Sequence, residues 1–438
     1  MSVEAAANRA YKKIVNAWCM YDWANSAFAT TIMAAVLPTF YASVAASHLP
    51  GNVASAYWGY TSSLALLIAA FLNPVLGAMA DHSGSKKKYL AFFTALGIVF
   101  TVLLFTVREG AWLLCSALYL VAEIGFSGAI VFYDSLLPHV AKPEDMDQVS
   151  TKGYALGYLG GGLLLAINLG MIMSPATFFL PSTDVAVRLS FVSVGLWWAI
   201  FSAPLFRRVA EPPAAPIAGE PANPVRAGFA RLQHTLKDIR RYRELSKFLV
   251  AFWIYNDGIG TIIKMATIYG SEIGIGQTDL IGALLLTQFV GIPFSLAFGQ
   301  LAKRLGRKPS IYLALGVYTL ISIGGYFMSE AWHFWVLAGM VRLVQGGSQA
   351  LSRSMYGAMA PKAKTGEFFG FYDMSSKFAG IVGPLVFGLV GQLTGSSRLS
   401  IVSIVIFFIV GGLLLTTVNE QDGIRVAQEE NAAALLQS

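Results

Sequence analysis

Twelve long, mainly apolar stretches run through this chain. They lie near 16–46, 53–80, 88–107, 111–138, 148–173 and 187–206, and again near 246–274, 279–302, 308–328, 331–360, 366–394 and 399–418. A hydrocarbon core of about 30 Å takes roughly 20 such residues per helix, so each stretch predicts one membrane-spanning helix. The other way to satisfy backbone groups in lipid is a closed barrel, and these runs are too long and too continuously apolar to alternate as barrel strands do. The expected fold is an all-α integral membrane protein of 12 transmembrane helices. Only 13% of residues are charged, against about 25% in soluble domains, so a soluble enzyme is not expected.

Loops facing the cytoplasm retain an excess of Lys and Arg. Segments on the side of the N-terminus hold 23 of the 31 basic residues, whereas the opposite loops hold only Arg108, Arg188 and Arg398. Both termini are therefore expected in the cytoplasm, and the net charge of +7 needs no nucleic-acid partner. Residues 1–13 are polar and the apolar run after them is too long for a cleavable signal, so the first span is expected to stay in the mature protein.

A polar connection opening with Pro212, Pro213, Pro216, Pro221 and Pro224 divides the spans six and six. This gives an N-terminal bundle over 1–206, a linker over 207–245, a C-terminal bundle over 246–418 and a tail over 419–438. In the linker, Phe229, Leu232, Leu236 and Ile239 share one helical face, with Arg231, Lys237, Arg240 and Arg243 elsewhere. Such a helix lies on the cytoplasmic leaflet or packs on the bundles, and both readings stand at this point. The halves also resemble each other. Gly77-x-x-x-Asp81-x-x-Gly84 with Lys86, Lys87 and Lys88 matches Gly299-x-x-x-Lys303-x-x-Gly306 with Arg307 and Lys308, each after the second span of its half. Tyr133 stands five residues before Pro138 as Tyr356 does before Pro361, which points to duplication.

Ten charged residues stand four or more positions inside the stretches, on six of the twelve. They are Asp22, Glu123, Asp134, Lys152, Asp257, Lys264, Arg342, Arg353, Asp373 and Lys377. A charge at the bilayer centre costs on the order of 3 kcal/mol, so these residues are expected to face a bundle interior or a water cavity. Helical spacing aligns Asp22 with Asn25 and Ser26, Asp257 with Thr261 and Lys264, and Arg342 with Gln345, Gln349 and Arg353. A zwitterion entering this space needs a cation or helix dipole for its carboxylate and an acid for its ammonium. Arg342 or Lys264 could meet the first and Asp22 or Asp257 the second, beside Trp23, Tyr255 and Asn256. Glu123 and Asp257 are the leading candidates for carrying a proton. The competing reading makes Asp257 with Lys264, Asp373 with Lys377, and Glu123 with a nearby cation, ion pairs that hold the bundle together.

The run from Gly77 to Lys88 resembles the loop signature of the major facilitator superfamily, with His82 where an Arg is usual. A closer resemblance, to the vacuolar amino-acid effluxer-like branch linked to autophagy and its bacterial relatives, is carried by five segments. These are Tyr21 to Phe28, Tyr133 to Pro138, Tyr255 to Gly258, Gln345 to Ser354 and Glu367 to Tyr372. The resemblance implies two pseudo-symmetric six-helix bundles, alternating access, and a small-molecule substrate of the neutral amino-acid class. It places the third, sixth, ninth and twelfth helices outside the cavity, in agreement with the charge census. It also implies a gate at Gly77, Asp81, Gly84, Lys86, Lys87 and Arg353, with Asp81 latching the outward-facing state. Gly153-x-x-x-Gly157 partly resembles an antiporter motif of the superfamily, with Tyr158 at the proline position, and favours export.

Other readings stay open: an exporter of amphipathic drugs, peptides or other metabolites, or a membrane receptor that does not transport. Cys19 and Cys115 read as buried thiols, and His48, His82, His139, His234 and His333 have no ligand-like grouping, so no metal or cofactor is expected. No phosphate loop appears, which argues against direct ATP drive. Short loops favour a bacterial cytoplasmic membrane over a vacuolar one.

Overall fold

The structure is a computed structural model that describes residues 3–214, 223–237 and 240–437. Pro216, Pro221 and Ile239 of the linker lie outside the described residues. Every described element is a helix. Among the described residues, nine helical runs are long and apolar enough to cross a membrane, beginning with Ala5–Ala45 and ending with Ser397–Thr416. Three more long helices, Arg243–Glu272, Gln277–Leu305 and Ala331–Met359, stand where the sequence places its seventh, eighth and tenth spans.

Buried side chains form two clusters, one drawn from Val15 to Val209 and the other from Tyr242 to Val418, so each half builds its own core. Large apolar side chains are left exposed on helices of both halves, among them Phe71, Phe92, Leu196, Leu286, Leu320, Leu385 and Leu413. In lipid such a surface costs nothing, because acyl chains are as apolar as leucine.

The second helix, Gly51–Ser83, ends because Gly84 takes a left-handed φ of 57°, a conformation glycine adopts without strain. The third, Lys86–Leu103, starts two residues later. The eleventh span is broken. Thr365–Phe378 stops, and Val382–Thr394 restarts with Pro384 in its first turn, where a missing N–H is tolerated. Tyr11 donates to Asp145 at 3.1 Å and Glu420 accepts from Arg307 at 2.7 Å, which brings both terminal segments to one face.

The linker helix, Pro224–Lys237, packs on the second helix, but not through the face its apolar periodicity suggests. Ala227, Arg231 and Thr235 are buried while Phe229 is 58% exposed. A Cβ on Gly228 would lie 2.8 Å from Met79 Cγ, so small residues rather than large ones set the contact.

The two halves meet most closely where the second helix crosses the eleventh. A Cβ built on Gly77 would lie 2.0 Å from the Gly366 carbonyl oxygen, a backbone atom that cannot rotate away. Gly77→Ala is expected to destabilise this closed arrangement by about 1–3 kcal/mol, read as a lowered Tm in detergent. An unchanged Tm would show that the halves separate here at no cost.

Candidate functional site

The Asp81 carboxylate reaches from the second helix to the start of the eleventh. It accepts the backbone N–H groups of Gly366 at 3.1 Å and Glu367 at 2.8 Å. First-turn amides have no partner within their own helix and carry the positive end of its dipole, so an acid there satisfies both. Lys86 pairs with Asp81 at 2.8 Å and donates to Thr365 Oγ1 at 2.7 Å, with both charged groups almost fully buried. Gly84 and Lys87 serve a different contact. A Cβ on Gly84 would meet Ala214, while Lys87 Nζ donates to the carbonyls of Phe206 and Val209, so both hold the linker's entry within the first half.

Arg353, from the tenth helix, enters the first half and is 2% exposed. Its guanidinium donates to Ser150 Oγ and the Ser150 carbonyl, both at 2.9 Å, and to Asp134 at 2.9 Å, with Asp22 at 3.5 Å. Trp18, Tyr133 and Tyr154 surround it, with the Tyr154 centroid 4.4 Å away. Arginine suits this box because its planar fork serves several acceptors while its faces lie on rings. Tyr133 donates to Asp22 at 2.7 Å, fixing the acid toward the arginine. Gly153 makes room, since a Cβ there would lie 2.3 Å from Asp22 Oδ2.

Lys303 stands where Asp81 stands in the first copy, and by sequence the second half has no latch. The structure supplies one from another residue. Asp147, in the first turn of the fifth helix, accepts from Arg307 at 2.6 Å and from Ser354 at 2.5 Å, and Arg307 also holds Glu420 of the tail. The acid has changed sides: in one copy it is offered by the second helix, in the other by the helix opposite.

Further from this face, Asp373 on the eleventh helix accepts from Asn73 at 2.6 Å and Ser127 at 3.4 Å, both in the first half, with Lys377 at 3.7 Å. Glu123 is fully buried and neither of its carboxylate oxygens has a hydrogen-bond partner among the described residues. The charges acting on it, Lys377 and Asp373, belong to the other half.

Asp257 and Lys264 do not pair with each other among the described residues. Asp257 accepts the Gly383 N–H at 3.1 Å through each oxygen, capping the restarted half of the eleventh span. Lys264 donates to the Gly380 carbonyl at 3.3 Å on the other side of the break. A Cβ on Gly383 would sit 1.9 Å from Thr261 Oγ1, so only glycine permits this approach.

Arg342 lies over the Tyr158 ring at 5.5 Å. Tyr158, of the fifth helix, packs against Gly291 and Gly346 of the second half, whose missing side chains leave room for the ring. Gln345 is buried with no partner for its Oε1 among the described residues, and Gln349 is half-buried beside it on the sequence stripe. Trp23 stacks on Trp197 at 5.5 Å and Asn25 is buried in the first half. Tyr255 bonds Ser352 at 2.6 Å inside the second core, while Asn256 is half-buried. Sequence reasoning passed over Asn73, Asp147, Tyr158 and Glu367 as site residues. Glu367 stands second in its apolar stretch, where it reads as a loop residue, yet it is fully buried.

The family described as "Vacuole effluxer Atg22 like" matches residues 50–428. An "Uncharacterized MFS-type transporter YxiO" of Bacillus subtilis (strain 168) is 41% identical over 423 residues, covering 96% of this chain and 98% of its own. "Autophagy-related protein 22" of Coccidioides immitis (strain RS) is 21% identical, covering 84% and 73%. Among solved structures, the proton:xylose symporter XylE superposes with a TM-score of 0.71 at 14% identity, covering 95% and 97%. FucP in its outward conformation gives 0.68 at 12%, covering 93% and 98%. These structures show the fold, that of a helical transporter of this kind. By the span of the family match and the identity to its bacterial relative, this chain belongs to the Atg22-like effluxer family of major facilitator superfamily transporters.

Proposed function

We propose that this chain exports neutral amino acids across a bacterial cytoplasmic membrane by alternating access, in exchange for protons. The observation that carries the reading is Arg353, which crosses between the halves on one face and is buried there among Asp134, Ser150 and Asp22. With Asp81 and Asp147 it closes the face that bears the termini. The excess of basic residues on this face supports a cytoplasmic placement, and the state is then outward-facing.

Arg342 has no acid partner among the described residues and stands ready for a substrate carboxylate, while Gln345 offers a free acceptor to an ammonium. Asp22 is engaged in the latch and Asp257 in the helix break, so neither is a free ammonium receptor in this state. Glu123 suits the proton, because a buried carboxyl whose charged neighbours sit on the other half changes its proton affinity when the halves move. The bundle limits at 206 and 246 are the hinge boundaries of this scheme.

Counterflow in sealed proteoliposomes tests it, using labelled neutral amino acids and an internal pH dye. Saturable accumulation of label is the expected result, and net substrate flux down an imposed gradient in the same vesicles is expected to change the internal pH. Net flux without a pH change removes proton coupling, and silence with a correctly folded protein shifts the substrate to amphipathic compounds or peptides. Ligand binding that never leads to flux would indicate a receptor.

A further inference from the structure

At the same face, where the seventh helix begins and the last span ends, lies a groove of about 760 Å³ bounded by Arg240, Arg243, Ser246, Lys247, Val250, Leu414 and Thr417. Its rim is basic and its floor apolar. Lys247 is neutralised by Glu244 at 2.6 Å and also donates to the Thr417 carbonyl at 2.7 Å. Glu244 is used up in turn by the Asn419 N–H at 2.6 Å. Arg241 points elsewhere, toward Glu430 at 3.7 Å. Arg240 and Arg243, both exposed, have no carboxylate partner among the described residues. The rim therefore carries two arginines with no carboxylate in bonding contact among the described residues, with the hydroxyls of Ser246 and Thr417 beside them.

The floor continues into the lipid-facing wall. Val250 is 47% exposed, and next to it along the two helices stand Trp253, Val410 and Leu413, at 39%, 37% and 62%. A free phosphate would use the rim and leave this floor empty. A diacyl lipid uses both, with its phosphodiester between the guanidiniums and an acyl chain down the apolar wall, as basic pockets at membrane surfaces commonly do.

We infer that this groove binds one anionic phospholipid of the phosphatidylglycerol kind. The bound headgroup ties Arg240, which follows the linker helix, to Arg243 at the head of the second bundle, and so anchors the joint between the halves to the bilayer. Zwitterionic phosphatidylcholine presents an ammonium beside its phosphate and is disfavoured by the same two charges.

The full-length protein in detergent is titrated with phosphatidylglycerol, phosphatidylcholine or glycerol 3-phosphate, and retained lipid is counted by native mass spectrometry. Wild type is expected to retain one phosphatidylglycerol. Arg240→Gln/Arg243→Gln weakens retention by roughly 30-fold, as about 1 kcal/mol per basic side chain implies. Leu414→Trp, which fills the floor and leaves the charge alone, weakens it too and keeps the test decisive if the double variant fails to fold. Equal retention by both variants with unchanged Tm overturns the inference, and so does equal retention of phosphatidylcholine. Displacement of the lipid by glycerol 3-phosphate at matching concentration assigns the rim to a soluble phosphate and overturns the lipid assignment.

Discussion

Arg353→Ala is expected to abolish transport and to hold the protein open on the face that carries the termini. Removing the guanidinium leaves Asp134 and Asp22 buried with no cation, and breaking a buried pair in this way costs about 3–5 kcal/mol. A loss of 4 kcal/mol moves a two-state equilibrium by roughly a thousandfold, enough to depopulate the closed state. Spin labels at Glu144→Cys and Lys303→Cys, exposed positions on opposite halves of this face, report the change as a longer distance. Arg353→Lys should restore the closed distance only in part. An ammonium cannot bond Ser150 and Asp134 in one plane while stacking on Tyr154. A distance distribution identical in wild type and Arg353→Ala would remove Arg353 from the gate.

The second large effect is expected at Glu123. Glu123→Gln keeps the shape of the side chain and removes its charge, so substrate exchange between equal pools should continue. Uptake driven by a pH gradient should fall to the level of protein-free vesicles. The basis is geometric: the carboxylate is enclosed, has no hydrogen-bond partner among the described residues, and faces the charges of Lys377 and Asp373 on the other half. Gradient-driven uptake at the wild-type rate would exclude Glu123 as the proton carrier. Loss of exchange as well would make it a packing residue, and Asp373→Asn, which frees Lys377, should then restore nothing.

Together these expectations divide the buried charges by role. One set, Arg353 with Asp22 and Asp134, Asp81 with Lys86, and Asp147 with Arg307, joins the halves on one face. A second set, Asp257 and Lys264, satisfies the backbone at the break in the eleventh span. A third, Glu123 and Arg342, has no opposite charge in bonding contact among the described residues, and in the proposed cycle those are the groups that substrate and proton engage.

The sequence by itself determined the twelve apolar stretches, the positions of the charges within them, the repeated loop signature and the family. Each of these follows from spacing along one helix or from a local motif, which a linear chain displays directly. Only the tertiary structure decided which charge meets which. Arg353 and Asp22 stand 331 residues apart, and helical periodicity says which residues share a face without saying what that face touches. The same limit explains Asp147, whose role depends on where Arg307 of the other half arrives, and Asp257, whose partner exists only because the eleventh span breaks. It also explains the linker helix, where Ala227 and Gly228 are packed and Phe229 is exposed. Close fit between small residues and the pairing of polar groups decide that contact, and an apolar stripe along one helix does not display which neighbour it will meet.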